Sequence, residues 1–193
     1  MLLIIICLTG LYLDLTSALA CGNLTLVSRQ EWGARLPKTS SNISTPVNDV
    51  FVHHTAMSPC YSLSSCSQEM RTIQNFHMDI RGWDDLGYSF LVGEDGRVYE
   101  SRGWDRQGAH TKGWNTVAVA VSVMGNFMTR LPNEAALRAV RNLIACGVEM
   151  EKVTPTYHLY GHRDVKSTAC PGDTLYAHIQ LWSHFGPLPA DHP

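Results

Sequence analysis

Two segments of this chain carry side chains that can do chemistry together. Val52-His53-His54-Thr55 lies more than a hundred residues before Gly161-His162-Arg163-Asp164-Val165-Lys166-Ser167-Thr168-Ala169-Cys170-Pro171. His53, His162 and Cys170 offer two imidazoles and one thiolate. Three protein ligands leave the fourth tetrahedral position open for water, the pattern of a hydrolytic zinc rather than a structural one. Spacing alone keeps two competitors open: a structural site that recruits a further histidine, and histidines that are ordinary satisfied polar residues. Arg163-Asp164 supplies charged neighbours of the kind that hold a metal ligand in place, and Cys170-Pro171-Gly172 reads as a tight turn able to bring the thiolate back toward the first histidine.

Such a trio works only if stiff elements aim it. Val50 to His54 reads as a short buried strand with both histidines at its C-terminal end. Residues 68–80 carry Met70, Ile73, Phe76, His77 and Ile80 at helical spacing, and Gly82 stops the run. Tyr88 to Val92 and Arg97 to Glu100 flank Glu94-Asp95-Gly96, a hairpin signal. Val117 to Met124 is a continuous β-branched run, expected of a central strand covered on both faces. Pro132-Asn133-Glu134 opens a helix with Leu137, Val140, Leu143, Ile144 and Val148 on one side. A last helix is expected from Asp173 as N-cap through Leu175, Ile179 and Trp182. Residues 21–49, rich in Ser, Thr, Asn and Pro, read as an irregular lead-in. These elements predict one α/β domain over 21–193, its core about 28–185, with a central mixed β-sheet flanked by about three helices.

Length and composition agree. The 193 residues, 45% hydrophobic and 17% charged with five Trp and seven Tyr, suit one globular core. A net charge of −2 excludes a general nucleic-acid or anionic-membrane binder. Leu2 to Leu13 is nearly all apolar and Ala18-Leu19-Ala20 supplies a small-x-small pattern, so residues 1–20 read as a secretory signal cleaved after Ala20. An uncleaved anchor is the rival, weakened by Asp14 and the shortness of the run; a lipoprotein site at Cys21 would want a larger residue than Ala18. No later segment approaches membrane-spanning length. Asn23-Leu24-Thr25 and Asn42-Ile43-Ser44 are glycosylation sequons that fit a secretory route.

Of the six cysteines, Cys7 leaves with the signal. Cys60 and Cys66 lie in a short polar stretch read as a loop, where a local disulfide would fix loop shape. Pairing Cys21 with Cys146 would tie the new N-terminus to a helix, leaving Cys170 as the odd thiol, for which metal ligation supplies a reason. Cys170 paired with Cys21 or with Cys146 is the alternative.

The chain resembles the peptidoglycan recognition proteins, animal relatives of phage-type zinc amidases. The resemblance is carried by Glu31-Trp32-Gly33-Ala34, Val52-His53-His54-Thr55-Ala56, 73–78, Leu86-Gly87-Tyr88-Ser89-Phe90, Gly96-Arg97-Val98-Tyr99-Glu100, Arg102-Gly103-Trp104, Gly108-Ala109-His110-Thr111, Met124-Gly125-Asn126-Phe127, and 161–165 with Cys170-Pro171-Gly172. It implies Zn2+ held by His53, His162 and Cys170, with Tyr88 and Thr168 at the reaction centre, and hydrolysis of the amide joining the lactyl group of N-acetylmuramic acid to L-alanine. Members that only bind ligand commonly lack the cysteine, so Cys170 favours the enzyme over the alternative, a non-catalytic receptor or bacteriostatic binder.

The resemblance also implies a stem-peptide groove lined by His54, Thr55, His77, Gly82, Trp83, Tyr88, Arg102, His110 and Asn115. Gly82-Trp83 with Arg102 matches the version that prefers meso-diaminopimelate, whose extra carboxylate a guanidinium grips in two-pronged fashion. The implied protein is a secreted monomer of innate immunity with bacterial peptidoglycan as its partner. Two departures stand out: Val119-Ala120-Val121-Ser122-Val123 replaces an Ile-Gly-Ile-Ser-Phe strand, and the cysteine count leaves no pair for the additional disulfide of some relatives; Thr168 stands where phage relatives have lysine, and a threonine cannot carry charge.

Overall fold

A computed structural model describes residues 20–188. The expected signal segment and Cys7 lie outside the described residues, apart from Ala20. The strands are β1 (Leu26–Val27), β2 (Val47–His54), β3 (Phe90–Val92), β4 (Val98–Glu100), β5 (Ala118–Val123) and β6 (Val153–Gly161). The α-helices are α1 (Leu63–Asn75), α2 (Glu134–Glu149) and α3 (Asp173–Ile179). The strands form one six-stranded mixed sheet in the order β1-β4-β3-β5-β2-β6, antiparallel only between β3 and β4. The α/β architecture expected from the sequence is therefore observed, with three helices around one sheet.

Period-two alternation divides the core between the two faces. Val50 and Val52 of β2, Val119, Val121 and Val123 of β5 and Leu159 of β6 bury one face against Leu137, Val140, Leu143 and Ile144 of α2. Phe51, Ala120 and Tyr160 turn the other way, against Trp114; farther along that side Leu91 and Tyr99 meet Met70 and Ile73 of α1. β5 is buried at every position, Ser122 included, as expected of a largely apolar strand covered on both faces.

Several boundaries depart from the sequence reading. β6 carried no strand signal: Pro155, Thr156 and His158 are exposed and the burial pattern does not alternate. Its place at the sheet edge explains this, since an edge strand tolerates proline and needs only one covered face. β1 hid in the Ser/Thr-rich lead-in because it is two residues long. α1 begins earlier than expected, at Leu63, because Ser62 and Ser65 cap each other: the Ser62 side chain accepts from Ser65 N and the Ser65 hydroxyl takes the Ser62 N–H. Cys66 thus sits in a helix turn rather than a loop. The expected helix over 68–80 is α-helical only to Asn75; Phe76–Ile80 is a π turn, which brings His77 and Met78 inward. Gly172, not Asp173, caps α3, and Trp182 lies beyond its end. That glycine is required: a Cβ there would stand 2.4 Å from the Phe127 carbonyl carbon.

Cys21 is bonded to Cys146 and Cys60 to Cys66, and Cys170 is the free cysteine among the described residues. Both expected pairings are present.

Candidate functional site

The parallel pairing of β2 with β6 builds the centre of the site. Val52 is opposite Gly161, so the next residues, His53 and His162, leave adjacent strands side by side, with ring centroids 4.4 Å apart. Both stand at the carboxyl ends of parallel strands, where open α/β sheets place ligands. Cys170 arrives from the loop after β6: its Sγ lies 3.5 Å from His53 Nδ1 and is approached by the His54 N–H at 3.4 Å. The ligand atoms of His53, His162 and Cys170 all lie within 4.8 Å of one another.

Those donors fit a zinc ion. Bonds of about 2.0–2.3 Å in a tetrahedron put ligand atoms about 3.5 Å apart, the separation already held by the Cys170 sulfur and the nearer His53 nitrogen. Burial, with nearby His162, His110 and His54, holds the His53 imidazolium well below its ordinary pKa; burial and then Lys166 lower His162 to about 4. Both rings are neutral at physiological pH and have a lone pair to give. Burial pushes the Cys170 thiol up to about 12, against the opposing pull of the His54 N–H and Arg163. A bound cation must displace that proton, which makes metal affinity pH-dependent.

The loop carrying Cys170 is braced by the charged pair after His162. Arg163 reaches Asp173 at 2.8 Å and the Ala169 carbonyl, and its guanidinium lies over Tyr176. Asp164 accepts the Gly161 N–H at 2.8 Å and the Tyr176 hydroxyl. The expectation that this pair supports a ligand matches its contacts.

Around the trio opens a cleft of about 840 Å³ lined from β2, the π turn, the loops and the Cys170 segment. Of the residues expected in the groove, His54, Thr55, His77, Trp83, Tyr88, His110 and Asn115 line it, as does Thr168, expected at the reaction centre. Several also hold the backbone. Thr55 Oγ1 accepts from Gly125 N, His54 Nδ1 from Phe127 N, His77 Nδ1 from Gly87 N and Thr168 Oγ1 from Cys170 N. Burial, then Arg81 and Arg102, lowers His77 to about 4, and its ring packs at a tilt against Trp83, centroids 4.5 Å apart. The Tyr88 ring lies 5.3 Å from that of His53, and burial raises its hydroxyl pKa, keeping it a proton donor.

Arg102 and Gly82 do not line the cleft. The Arg102 guanidinium runs under the loop floor, donating to Leu86 O and Gln107 O at 2.7 Å each and more weakly to Asp85 O. The cations that do face the cleft are Arg81, Lys112 and Lys166, and no carboxylate is among its lining residues. Sequence reading missed all three. Arg81 directly precedes Gly82, whose left-handed backbone (φ 72°) turns Trp83, and its guanidinium packs over both Phe76 and Trp83. Lys166 lies within the quoted His162 segment and Lys112 directly follows the quoted His110 segment, so both could have been noted there.

Comparison with known proteins follows the same outline. Residues 43–173 match the N-acetylmuramoyl-L-alanine amidase family. The chain is 48% identical over 174 residues to peptidoglycan recognition protein 1 of Bos indicus, covering 90% of each. It is 45% identical over 161 residues to peptidoglycan-recognition protein LB of Drosophila melanogaster, covering 83% of this chain and 69% of that one. Among solved structures it superposes on Drosophila PGRP-LB with a TM-score of 0.85 at 43% identity, covering 87% of this chain and 99% of that chain. It superposes on PGRP-LE in complex with tracheal cytotoxin, a monomeric diaminopimelic acid-type peptidoglycan, with a TM-score of 0.83 at 40% identity, covering 84% and 96%.

Proposed function

The chain belongs to the N-acetylmuramoyl-L-alanine amidase family, among the peptidoglycan recognition proteins, and on that premise we propose that it is a secreted, monomeric zinc amidase of innate immunity. It binds the stem peptide of bacterial peptidoglycan and hydrolyses the lactyl-L-alanine amide. The observation that carries this reading is the convergence of His53, His162 and Cys170 at the floor of the cleft. Zinc held by these three supplies a Lewis acid for the amide carbonyl and a water of lowered pKa.

The remaining work falls to the chain's own groups. Tyr88, protonated beside His53, is placed to donate a hydrogen bond to the oxyanion that develops on the amide carbonyl. Thr168 lines the cleft while its oxygen holds the Cys170 N–H, so its role is to set the thiolate's loop rather than to carry charge. Arg81, Lys112 and Lys166, with no lining carboxylate, suit a ligand bearing several carboxylates, and PGRP-LE is solved with such a muropeptide. Within the same reading the protein prefers diaminopimelate stem peptides. Arg81 lines the cleft and offers a guanidinium for the extra carboxylate, while three of the five Arg102 N–H donors are taken by backbone carbonyls. Secretion rests on the expected cleavage after Ala20, and the Cys21–Cys146 and Cys60–Cys66 disulfides suit an oxidising compartment.

The test is release of free stem peptide from purified diaminopimelate muropeptide, with and without chelator, alongside Cys170→Ser. The reading expects turnover in the wild type, loss with chelator and recovery on adding zinc. Turnover that survives both treatments overturns the zinc mechanism. Tight binding without any release in the zinc-loaded wild type replaces the amidase with a receptor.

A further inference from the structure

His110 was expected to touch substrate, yet its side chain is 8% exposed and both ring nitrogens have partners inside the protein. Nε2 lies 3.3 Å from Ala118 O. A carbonyl only accepts, so Nε2 carries a proton. The ring is buried with no carboxylate among its partners, the setting of a neutral imidazole, and a neutral ring protonated on Nε2 has a bare Nδ1. That Nδ1 is 2.9 Å from Thr111 Oγ1, so the hydroxyl proton must point at it. The lone pairs of the same oxygen then face His53 Nε2 at 3.3 Å, which must donate. A single assignment of protons satisfies all three contacts, and it ends with His53 protonated on Nε2 and bare on Nδ1, the nitrogen 3.5 Å from the Cys170 sulfur.

We propose that Thr111 and His110 are positioning residues that lock His53 in its Nε2-protonated tautomer, presenting Nδ1 to the metal shared with His162 and Cys170. A ligand histidine whose second nitrogen donates to a fixed acceptor is held in both tautomer and ring orientation, and its basicity rises. Here the acceptor is a hydroxyl aligned in turn by a second imidazole. Three features build the arrangement in. Asn115 Oδ1 accepts the backbone N–H groups of His110 and Thr111 at 2.8 and 2.9 Å, clamping both members. Gly108 leaves the space the ring occupies, since a Cβ there would stand 2.3 Å from His110 Cδ2. The chain terminates on β5, whose Asp49↔Ala118 and His53↔Ser122 pairings with β2 keep acceptor and ligand in one rigid frame. The metal half of the proposal rests on the zinc reading above; the tautomer half does not.

The experiment compares wild type, Thr111→Val, which keeps the shape and removes the hydroxyl, and Thr111→Ser, which keeps the hydroxyl. Side-chain nitrogen chemical shifts of the metal-free protein report each histidine's tautomer, and competition with a chromophoric chelator gives Zn2+ affinity. His53 should be the Nε2–H form in wild type and Thr111→Ser, and should populate the Nδ1–H form in Thr111→Val. Zn2+ binding should weaken about 10- to 100-fold in Thr111→Val and change less than about threefold in the serine variant. Urea unfolding of all three separates this loss from general destabilisation. Equal affinity in the valine variant, or wild-type His53 protonated on Nδ1, overturns the proposal, and the second result needs no variant to fold. Failure of the wild type to bind Zn2+ sinks the metal reading while the tautomer measurement still decides the hydrogen-bond chain.

Discussion

Replacing Cys21 and Cys146 together by serine should destabilise the protein without touching its ligand affinity. The bridge spans a sequence separation of 125, and opening a ring of that size releases about 16 cal/mol/K of chain entropy in the unfolded state, or about 5 kcal/mol at 25 °C. For a protein of this length about 1 kcal/mol moves the melting temperature by 2–4 °C, so the midpoint should fall by roughly 10–20 °C. Opening the bridge at Cys60–Cys66, with a separation of 6, gives about 2 kcal/mol by the same relation. The cleft should not respond to the first change, because no residue of α2 or of the Cys21–Asn23 turn lines it. Urea and thermal unfolding by circular dichroism, with muropeptide binding at 20 °C, test both halves. The reasoning fails if the long ring costs no more than the short one, or if affinity changes while the variant is folded.

Arg102→Ala should lower stability by about 1–3 kcal/mol, since it strands the part-buried Leu86 and Gln107 carbonyls, whereas Arg81→Ala should shift stability little and weaken binding of diaminopimelate muropeptides more than lysine ones, both read by titration calorimetry beside urea melts. Glu94→Gln should cost stability at neutral pH: burial raises that carboxyl, but the Arg130 pair at 2.6 Å and the Asn133 N–H outweigh it and lower its pKa. A lowered carboxylate pKa means stability present above the unfolded value, about 4.3, and lost as pH falls through the folded one, so wild type and variant should converge in acid urea melts. His77, lowered to about 4 by burial and two arginines, acts on a different window: the unfolded ring takes up a proton near 6.5 and the folded ring does not. Its contribution is complete above about pH 6.5 and declines as pH falls toward 4, and His77→Gln should flatten the stability profile there.

Strands that sit in the middle of the sheet were legible because burial on both faces leaves a largely apolar run: Val50 to His54 and Val117 to Met124 were found to within three residues. Edge strands were not, because β6 buries residues only at its two ends, Val153 and Leu159 to Gly161, and exposes Pro155, Thr156 and His158 between them. The three donor residues were readable from type and segment. Their partners were less so: Arg102 and Arg81 are equally plausible arginines in a sequence, and only the path of the Leu86–Gln107 loops decides which one faces the cleft. His110 was read as a residue that lines the stem-peptide groove; hydrogen-bond direction, on which its proposed positioning role rests, has no signature in residue order.

The pairing of β2 with β6 is irregular before it is regular. Val47 meets Val153 and Asp49 meets His158, so while β2 passes only Asn48, β6 runs through Thr154, Pro155, Thr156 and Tyr157. From there Val50↔Leu159, Phe51↔Tyr160 and Val52↔Gly161 run in step to the end that carries His53 and His162. The surplus chain lies entirely upstream of His162. Adding or removing a residue within 154–157 would change the size of that excursion and leave the last three pairs in place. Segment length between α2 and His162 is therefore free to drift, and 154–157 is a natural insertion point for an affinity tag or fluorophore in an otherwise intact protein.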